Sequence, residues 1–235
     1  MLKIDIKQKL FNKKVILNNV NLEIKDAEFI SIIGPSGCGK TTILRIASLL
    51  DTSFKGDISY KQQNHIDNLG FIFQDARLLP WLSGKENIML VSKNKDEKKV
   101  EELLREVGLG DYINSFIKEL SGGMKRRVSI VRAFINNPEV LLLDEPFISL
   151  DYPTAQNLRQ LVLKFYEQYS PTVLFVTHDL HEALLLSHKI VFLGSSPTSV
   201  IYEYQNNPVF NDELATTKKE EILKQYPNIL SGKLT

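Results

Sequence analysis

The 235-residue chain alternates between two kinds of hydrophobic pattern. Around Lys3–Lys7 and Val20–Ile24 apolar side chains fall at every second position, as they do in half-exposed antiparallel strands. FISII (29–33), LGFIF (69–73), VLLL (140–143) and TVLFVT (172–177) are nearly continuous apolar blocks, the habit of strands buried on both faces. KIVFL (189–193) has the same character. Strand and helix signals alternate along the chain, which predicts an α/β fold with a mostly parallel central sheet. Between Asp75 and Asn137 the pattern becomes helical and more polar; Val100, Leu103, Leu104 and Val107 share one helix face, and Gly108 is placed to end that helix. We read residues 76–137 as a helical insertion within a single domain spanning 1–235. Beyond Gly194 the signal thins into a short extension, 195–235, with one charged helix candidate from Asp212 to Gln225.

Polar residues of an unusual kind follow the buried blocks. FISII runs into Gly34-Pro35-Ser36-Gly37-Cys38-Gly39-Lys40-Thr41-Thr42, LGFIF into Gln74, VLLL into Asp144-Glu145, and TVLFVT into His178-Asp179. Open α/β sheets bind ligands beyond the carboxyl ends of their strands, so these clusters are expected to converge on one edge. The first matches the phosphate cradle G-x-x-x-x-G-K-[ST] in its strand-to-helix setting. Its glycines let backbone N–H groups wrap phosphates, Lys40 is placed to reach the β and γ oxygens, and the Thr41 hydroxyl to bind Mg²⁺. Cys38 is either a small spacer in that loop or a thiol activated by the helix N-terminus. Adjacent carboxylates at a buried edge repel unless a cation neutralises one. Asp144 is therefore read as steadying the metal and Glu145 as holding a water.

Composition narrows the setting. The 29 basic and 28 acidic side chains leave a formal charge of +1, so no global field recruits nucleic acid or an acidic membrane. The single cysteine cannot form an internal disulfide, which fits a reducing cytoplasm. The start, MLKIDIKQKL, has no signal-peptide core and no apolar run is long enough to span a bilayer, so any role at a membrane requires a partner.

One stretch looks electrostatically backwards. In KELSGGMKRR (118–127), Ser121-Gly122-Gly123 makes a good helix start, yet Lys125, Arg126 and Arg127 occupy the first turns, where the helix dipole disfavours cations. Either they answer an external anion or they decorate a solvated face.

Taken in this order, the cradle, Gln74, LSGGM (120–124), Asp144-Glu145, SLD (149–151) and VTHD (176–179) resemble the nucleotide-binding subunit of an ABC transporter, over about residues 1–195. The resemblance implies a P-loop NTPase (RecA-like) core with an N-terminal antiparallel β subdomain and an inserted α-helical subdomain. It implies ATP and Mg²⁺ as cofactors and a head-to-tail dimer of the chain with itself, in which Ser121, Gly122, Gly123 and Asp151 of one copy meet ATP held by the other's cradle. Glu145, His178, Lys40 and Gln74 would be catalytic, with Thr41, Gln74 and Asp144 around the metal. Phe11 either stacks on adenine, as the family's aromatic does, or is ordinary core. The segment FQDARLLPWLSGKENI (73–88) is similar to that of importers of the nitrate, sulfonate and taurine group. Leu78, Leu79 and Trp81 would then form a groove for a membrane permease, at the cytoplasmic face of the membrane; the alternative is core packing. A solute-binding protein would act only indirectly. Other readings are an importer of another small solute, such as bicarbonate or a thiamine precursor, or a soluble ABC-type ATPase not coupled to transport. Three positions depart from the family's habit: Ala27 where Gly is common, Arg126 where Gln is frequent, and Ile148 where Ala or Gly is usual.

Overall fold

The computed structural model describes residues 1–63, 66–195, 197–208 and 210–234, so Ser196, Val209 and Thr235 of the expected C-terminal extension lie outside the described residues. In chain order the elements are β1 (Leu2–Phe11), β2 (Lys14–Ile24), β3 (Phe29–Ile33), α1 (Lys40–Ala47), β4 (Lys55–Tyr60), β5 (Leu69–Ile72), α2 (Gly84–Met89), α3 (Glu97–Glu106) and α4 (Gly122–Phe134). There follow β6 (Val140–Asp144), α5 (Tyr152–Tyr169), β7 (Thr172–Val176), α6 (Leu180–Leu186), β8 (Lys189–Leu193), β9 (Val200–Gln205) and α7 (Asp212–Gln225). They form two compact units. One comprises Met1–Asp67, Leu142–Glu145 and Thr172–Thr235, the other Asn68–Leu141 and Pro146–Pro171.

The first unit contains two sheets. In the antiparallel sheet β2-β1-β4, Ile4 pairs with Leu22 on one side and Ile58 on the other, and period-two alternation buries Leu2, Ile4 and Ile6. Asn12 and Lys13 close the β1–β2 hairpin with φ of 48° and 65°, the left-handed pair that a two-residue hairpin turn requires. Strand β4 escapes the sequence reading because its first three residues are exposed and polar or Gly. Gly56 admits it to the sheet: at φ 138° a Cβ there would lie 1.9 Å from the Asp5 carbonyl oxygen.

The second sheet orders its strands β6-β7-β3-β8-β9 within this unit. Strand β3 runs parallel to β7 and β8, whereas β9 returns antiparallel along β8. Every residue of β3, β7 and β8 is buried, as continuous apolar runs require. Strand β9 (VIYEYQ) is only half-buried, which is why the thinning sequence signal past Gly194 hides it. Helix α7 packs on α6, where His181 Nε2 lies 2.8 Å from Asp212 Oδ1.

The second unit is largely helical. Val100, Leu103 and Leu104 are the buried residues of α3, Asp96 caps its N-terminus, and Gly108 at φ 71° follows its end. Helix α2 begins with a reciprocal capping box between Ser83 and Glu86. Phe134 of α4 meets Phe165 of α5 edge-on with ring centroids 5.1 Å apart, and both are fully buried. Burial of each such ring contributes about 2–3 kcal/mol. Among the described residues, no helix is long and apolar enough to cross a membrane.

Candidate active site

The chain leaves the buried strand β3 at Ile33 and enters α1 at Lys40. Between them the loop needs glycine for two separate reasons. Gly37 and Gly39 take φ of 76° and 100°, and a Cβ on Gly34 would press to 2.9 Å from Cys38 Sγ and 3.0 Å from Leu193 Cβ. Lys40 is buried, and its Nζ donates to the carbonyl oxygens of Gly34 (2.8 Å) and Pro35 (3.2 Å), so the ammonium sits on the loop it belongs to. Ser36 and Gly37 are exposed at the loop's tip, and Thr42 is half-buried in the first turn of α1. The N-terminus of α1, with Lys40 beside it, offers an anion both backbone donors and a full positive charge.

The Thr41 hydroxyl donates to Asp144 Oδ1 at 3.1 Å, which brings the end of β6 to the start of α1. A hydroxyl and a carboxylate oxygen side by side suit a hard cation such as Mg²⁺, which takes one or two protein oxygens and completes its shell with water and phosphate. Among the described residues no group of three or more His, Cys, Asp or Glu is arranged as a self-sufficient metal cage.

Glu145 follows directly. Its backbone turns left-handed at φ 43°, a strain of about 1–2 kcal/mol for a residue with a side chain, and its N–H donates to the Val176 carbonyl at 2.9 Å. The carboxylate Oε2 then stands 3.1 Å from His178 Nδ1. The turn after β7 holds the histidine in place: the Thr177 N–H donates to Ile32, and its hydroxyl donates to Glu182 (2.8 Å) while accepting from the Asp179 N–H (3.0 Å). Adjacent parallel strands thus deliver Lys40, Thr41, Asp144, Glu145 and His178 to one edge. Gln74 belongs to the second unit, where it is exposed just beyond β5.

Burial bears on two of the open alternatives. Burial pushes the Cys38 thiol above its ordinary pKa, against the opposing pull of Lys40, and the side chain is 4% exposed. A buried thiol with a raised pKa favours the small spacer over an activated nucleophile. Phe11, at the tip of the β1–β2 hairpin, is 64% exposed and therefore not core.

In the second unit Ser121 caps α4 by accepting from the Met124 N–H at 3.3 Å, and Asp151 caps α5 by accepting from the Thr154 N–H at 3.1 Å. Hydrogen bonding from the Thr154 hydroxyl, and then from its N–H, holds the Asp151 carboxyl below its ordinary pKa. Both caps border one cavity of about 630 Å³. A Cβ on Gly122 would meet nothing within 4 Å, so this face is open to close approach from outside; on Gly123 it would meet Thr154 Cγ2 at 3.3 Å.

The cations after this turn have an answer of a third kind. Arg126 donates to the Phe73 carbonyl (2.9 Å) and Arg127 to the Val107 carbonyl (3.0 Å), both from half-buried positions. Burial lowers the Arg126 pKa, and Asp75 opposes the shift. These two guanidiniums brace their own unit, and Arg127 also lines the cavity that Ser121 and Asp151 border. Arg132, which the sequence reading overlooked, does the same for Ala76 and Arg77, both at 2.8 Å. Asn87, which follows Lys85 and Glu86 in the chain, was also overlooked. Its amide oxygen accepts from the Leu79 N–H (2.8 Å) and its nitrogen donates to the Leu79 and Ser83 carbonyls. With that loop pinned, Trp81 is 66% exposed while Leu78 and Leu79 are half-buried.

Comparison with known proteins places most of the chain beside relatives of one family. The family described as "ABC transporter" matches residues 17–148. The aliphatic sulfonates import ATP-binding protein SsuB 2 of Pseudomonas syringae pv. tomato is 41% identical over 201 residues, 85% of each chain. SsuB of Bacillus cereus is 39% identical over 232 residues, 94% of this chain and 92% of its own. A solved structure of the ATP-binding cassette MJ0796, a dimer in a post-hydrolysis state with ADP and Pi, superposes with a TM-score of 0.75 at 32% identity, covering 89% of this chain and all of that one.

Proposed function

The chain belongs to the ABC transporter family, and from that premise we propose that it is the ATP-hydrolysing subunit energising uptake of an aliphatic sulfonate or a closely related small oxyanion. The single observation that carries the hydrolytic part is the paired geometry at one strand edge: Thr41 on Asp144 at 3.1 Å, beside Glu145 on His178 at 3.1 Å. The oxyanion cargo rests on the sulfonate importers to which the chain is similar.

In this reading the nucleotide's phosphates lie in the cradle from Gly34 to Thr42, with Phe11 stacked on the adenine. Thr41 and Asp144 would hold Mg²⁺, with Gln74 proposed as a further ligand, and the ion would supply neutralisation of phosphate charge. Lys40 exchanges the carbonyls of Gly34 and Pro35 for phosphate oxygens, a trade that places its full charge where negative charge develops. Glu145 orients a water and takes its proton, and His178 holds Glu145 on one side while facing the γ-phosphate on the other. Ser121, Gly122, Gly123 and Asp151 close over the nucleotide of a second copy, arranged head to tail. The exposed Trp81 with Leu78 and Leu79 forms the groove for the permease, which keeps the subunit peripheral at the cytoplasmic face of the membrane. Residues 76–137 form the helical insertion of the single 1–235 domain, and 195–235 its extension.

Glu145→Gln tests the assignment. The variant is expected to lose at least about 100-fold in turnover, the usual contribution of a positioned base, yet to bind Mg-ATP and migrate as a dimer by light scattering. A monomeric variant unable to bind ATP would remove Glu145 from the chemistry.

A further inference from the structure

Thr198 lies between β8 and β9, beyond the stretch matched by the family and in the part of the chain where sequence patterning is weakest. It is fully buried. Its backbone is fixed on both sides: the N–H donates to the Ile16 carbonyl and the carbonyl accepts from the Asn18 N–H, both at 2.9 Å, in a bridge opposite Leu17. Its hydroxyl donates to the Cys38 carbonyl oxygen at 2.6 Å.

That last bond has a directional consequence. In a trans peptide the carbonyl and the following N–H point to opposite sides of the chain. Holding the Cys38 oxygen from the buried side therefore aims the Gly39 N–H away from the interior, at the start of α1. Leu17 supports the same spot, since a Cβ on Gly39 would lie 2.8 Å from Leu17 Cδ2. Leu17 and Thr198 together form a floor under the Cys38–Gly39 peptide, and strand β2 carries that floor in the same hairpin as Phe11.

We infer that Thr198 is a positioning residue for phosphate binding: its hydroxyl locks the Cys38–Gly39 peptide plane so that the Gly39 N–H faces the nucleotide's phosphates. The inference rests on the reading of Gly34–Thr42 as a nucleotide cradle. Thr198 touches no substrate and acts only through the peptide it holds. The plainer role, a buried hydroxyl that merely satisfies a carbonyl, makes a different prediction: its loss would lower the melting temperature and leave nucleotide affinity in the folded subunit unchanged.

The test compares the full chain with Thr198→Val, which keeps the shape and removes the hydroxyl, and with Thr198→Ser, which keeps the hydroxyl and removes the methyl. Mg-ADP binding by calorimetry and steady-state ATP hydrolysis are measured on each. One lost net hydrogen bond corresponds to about fivefold in affinity. The Val variant is expected to show about fivefold weaker Mg-ADP binding and a similarly raised KM for ATP. Its kcat at saturating ATP should stay within about twofold, and the Ser variant should bind nearly as the parent does. Parent-like binding by the Val variant, or equal losses in Val and Ser, overturns the inference. If Val yields no folded subunit, Thr198→Ala replaces it with the same expectation; failure of both to fold assigns the hydroxyl to stability alone and also overturns it. Failure of the unaltered chain to bind Mg-ADP would instead refute the nucleotide reading itself.

Discussion

At the strand-end edge of the first unit, Lys40, Thr41, Asp144, Glu145 and His178 find partners within that unit at 2.8 to 3.1 Å. On the second unit, Ser121 and Gly122 are exposed, and the nearby guanidiniums of Arg126 and Arg127 are turned onto carbonyls of their own unit. One region arrives assembled by parallel strands; the other presents a serine hydroxyl, open glycine backbone and a helix N-terminus. The difference teaches how the work is divided. Groups that meet each other are brought together by the sheet, whereas Ser121 and Gly122, the groups we propose to meet another copy's phosphate, are left exposed. The space beside Gly122, where a side chain would touch nothing, leaves room for the second copy we propose.

The sharpest break of that comparison is Ser121→Arg. Ser121 is an exposed cap, so its replacement costs the fold only about 1 kcal/mol. ATP binding to the single subunit should survive, whereas ATP-driven pairing in light scattering should disappear and turnover should fall by about 100-fold, the scale of a lost transition-state donor. Normal turnover would mean that the exposed face is not part of the reaction.

Changes within the first unit, away from both regions, should appear in stability and not in pairing. Lys9 is buried and bonds Asp51 at 2.6 Å and the Ser53 carbonyl at 2.8 Å. Its hydrogen bond holds the Asp51 carboxyl below its ordinary pKa. A depressed carboxylate stabilises the fold above its unfolded pKa, near 3.9, and that contribution is lost as pH falls through the folded value. Asp51→Asn should therefore cost about 2 kcal/mol at pH 7, between the values for exposed and buried pairs. In denaturant titrations the gap between variant and parent should narrow below about pH 4. A gap independent of pH would remove the ion pair from the account.

The smallest effect runs the other way. Ala27 sits at φ 56°, the left-handed region that favours glycine, and this is the position where the family's habit is Gly. Ala27→Gly relieves about 1–2 kcal/mol of backbone strain and gives back part of it as unfolded-state entropy, for a net gain of about 0.5–1 kcal/mol. A lowered melting temperature would contradict that balance.

Much of this division was legible in the residue order. Continuous apolar blocks marked β3, β6, β7 and β8, and the residues directly after them carried the chemistry, because a parallel sheet exposes its reactive groups only at strand ends. The heptad-like face of α3 and its glycine stop were equally plain. Strands β4 and β9 were not, since both are edge strands whose exposed residues break the alternation. The same limit hid Thr198 and Arg132: each acts through a backbone carbonyl far along the chain, and local patterning carries no trace of a long-range partner that has no side chain in the bond. Arg126 was visible as a departure, yet its purpose became clear only once the Phe73 carbonyl stood beside it.

The most direct measurement is the specific ATPase rate of the isolated subunit as its concentration is lowered at saturating Mg-ATP. Shared ownership of each nucleotide by two copies predicts that the rate per subunit falls on dilution, in step with the fraction paired. A rate per subunit that stays constant down to concentrations where light scattering finds only monomer would contradict it.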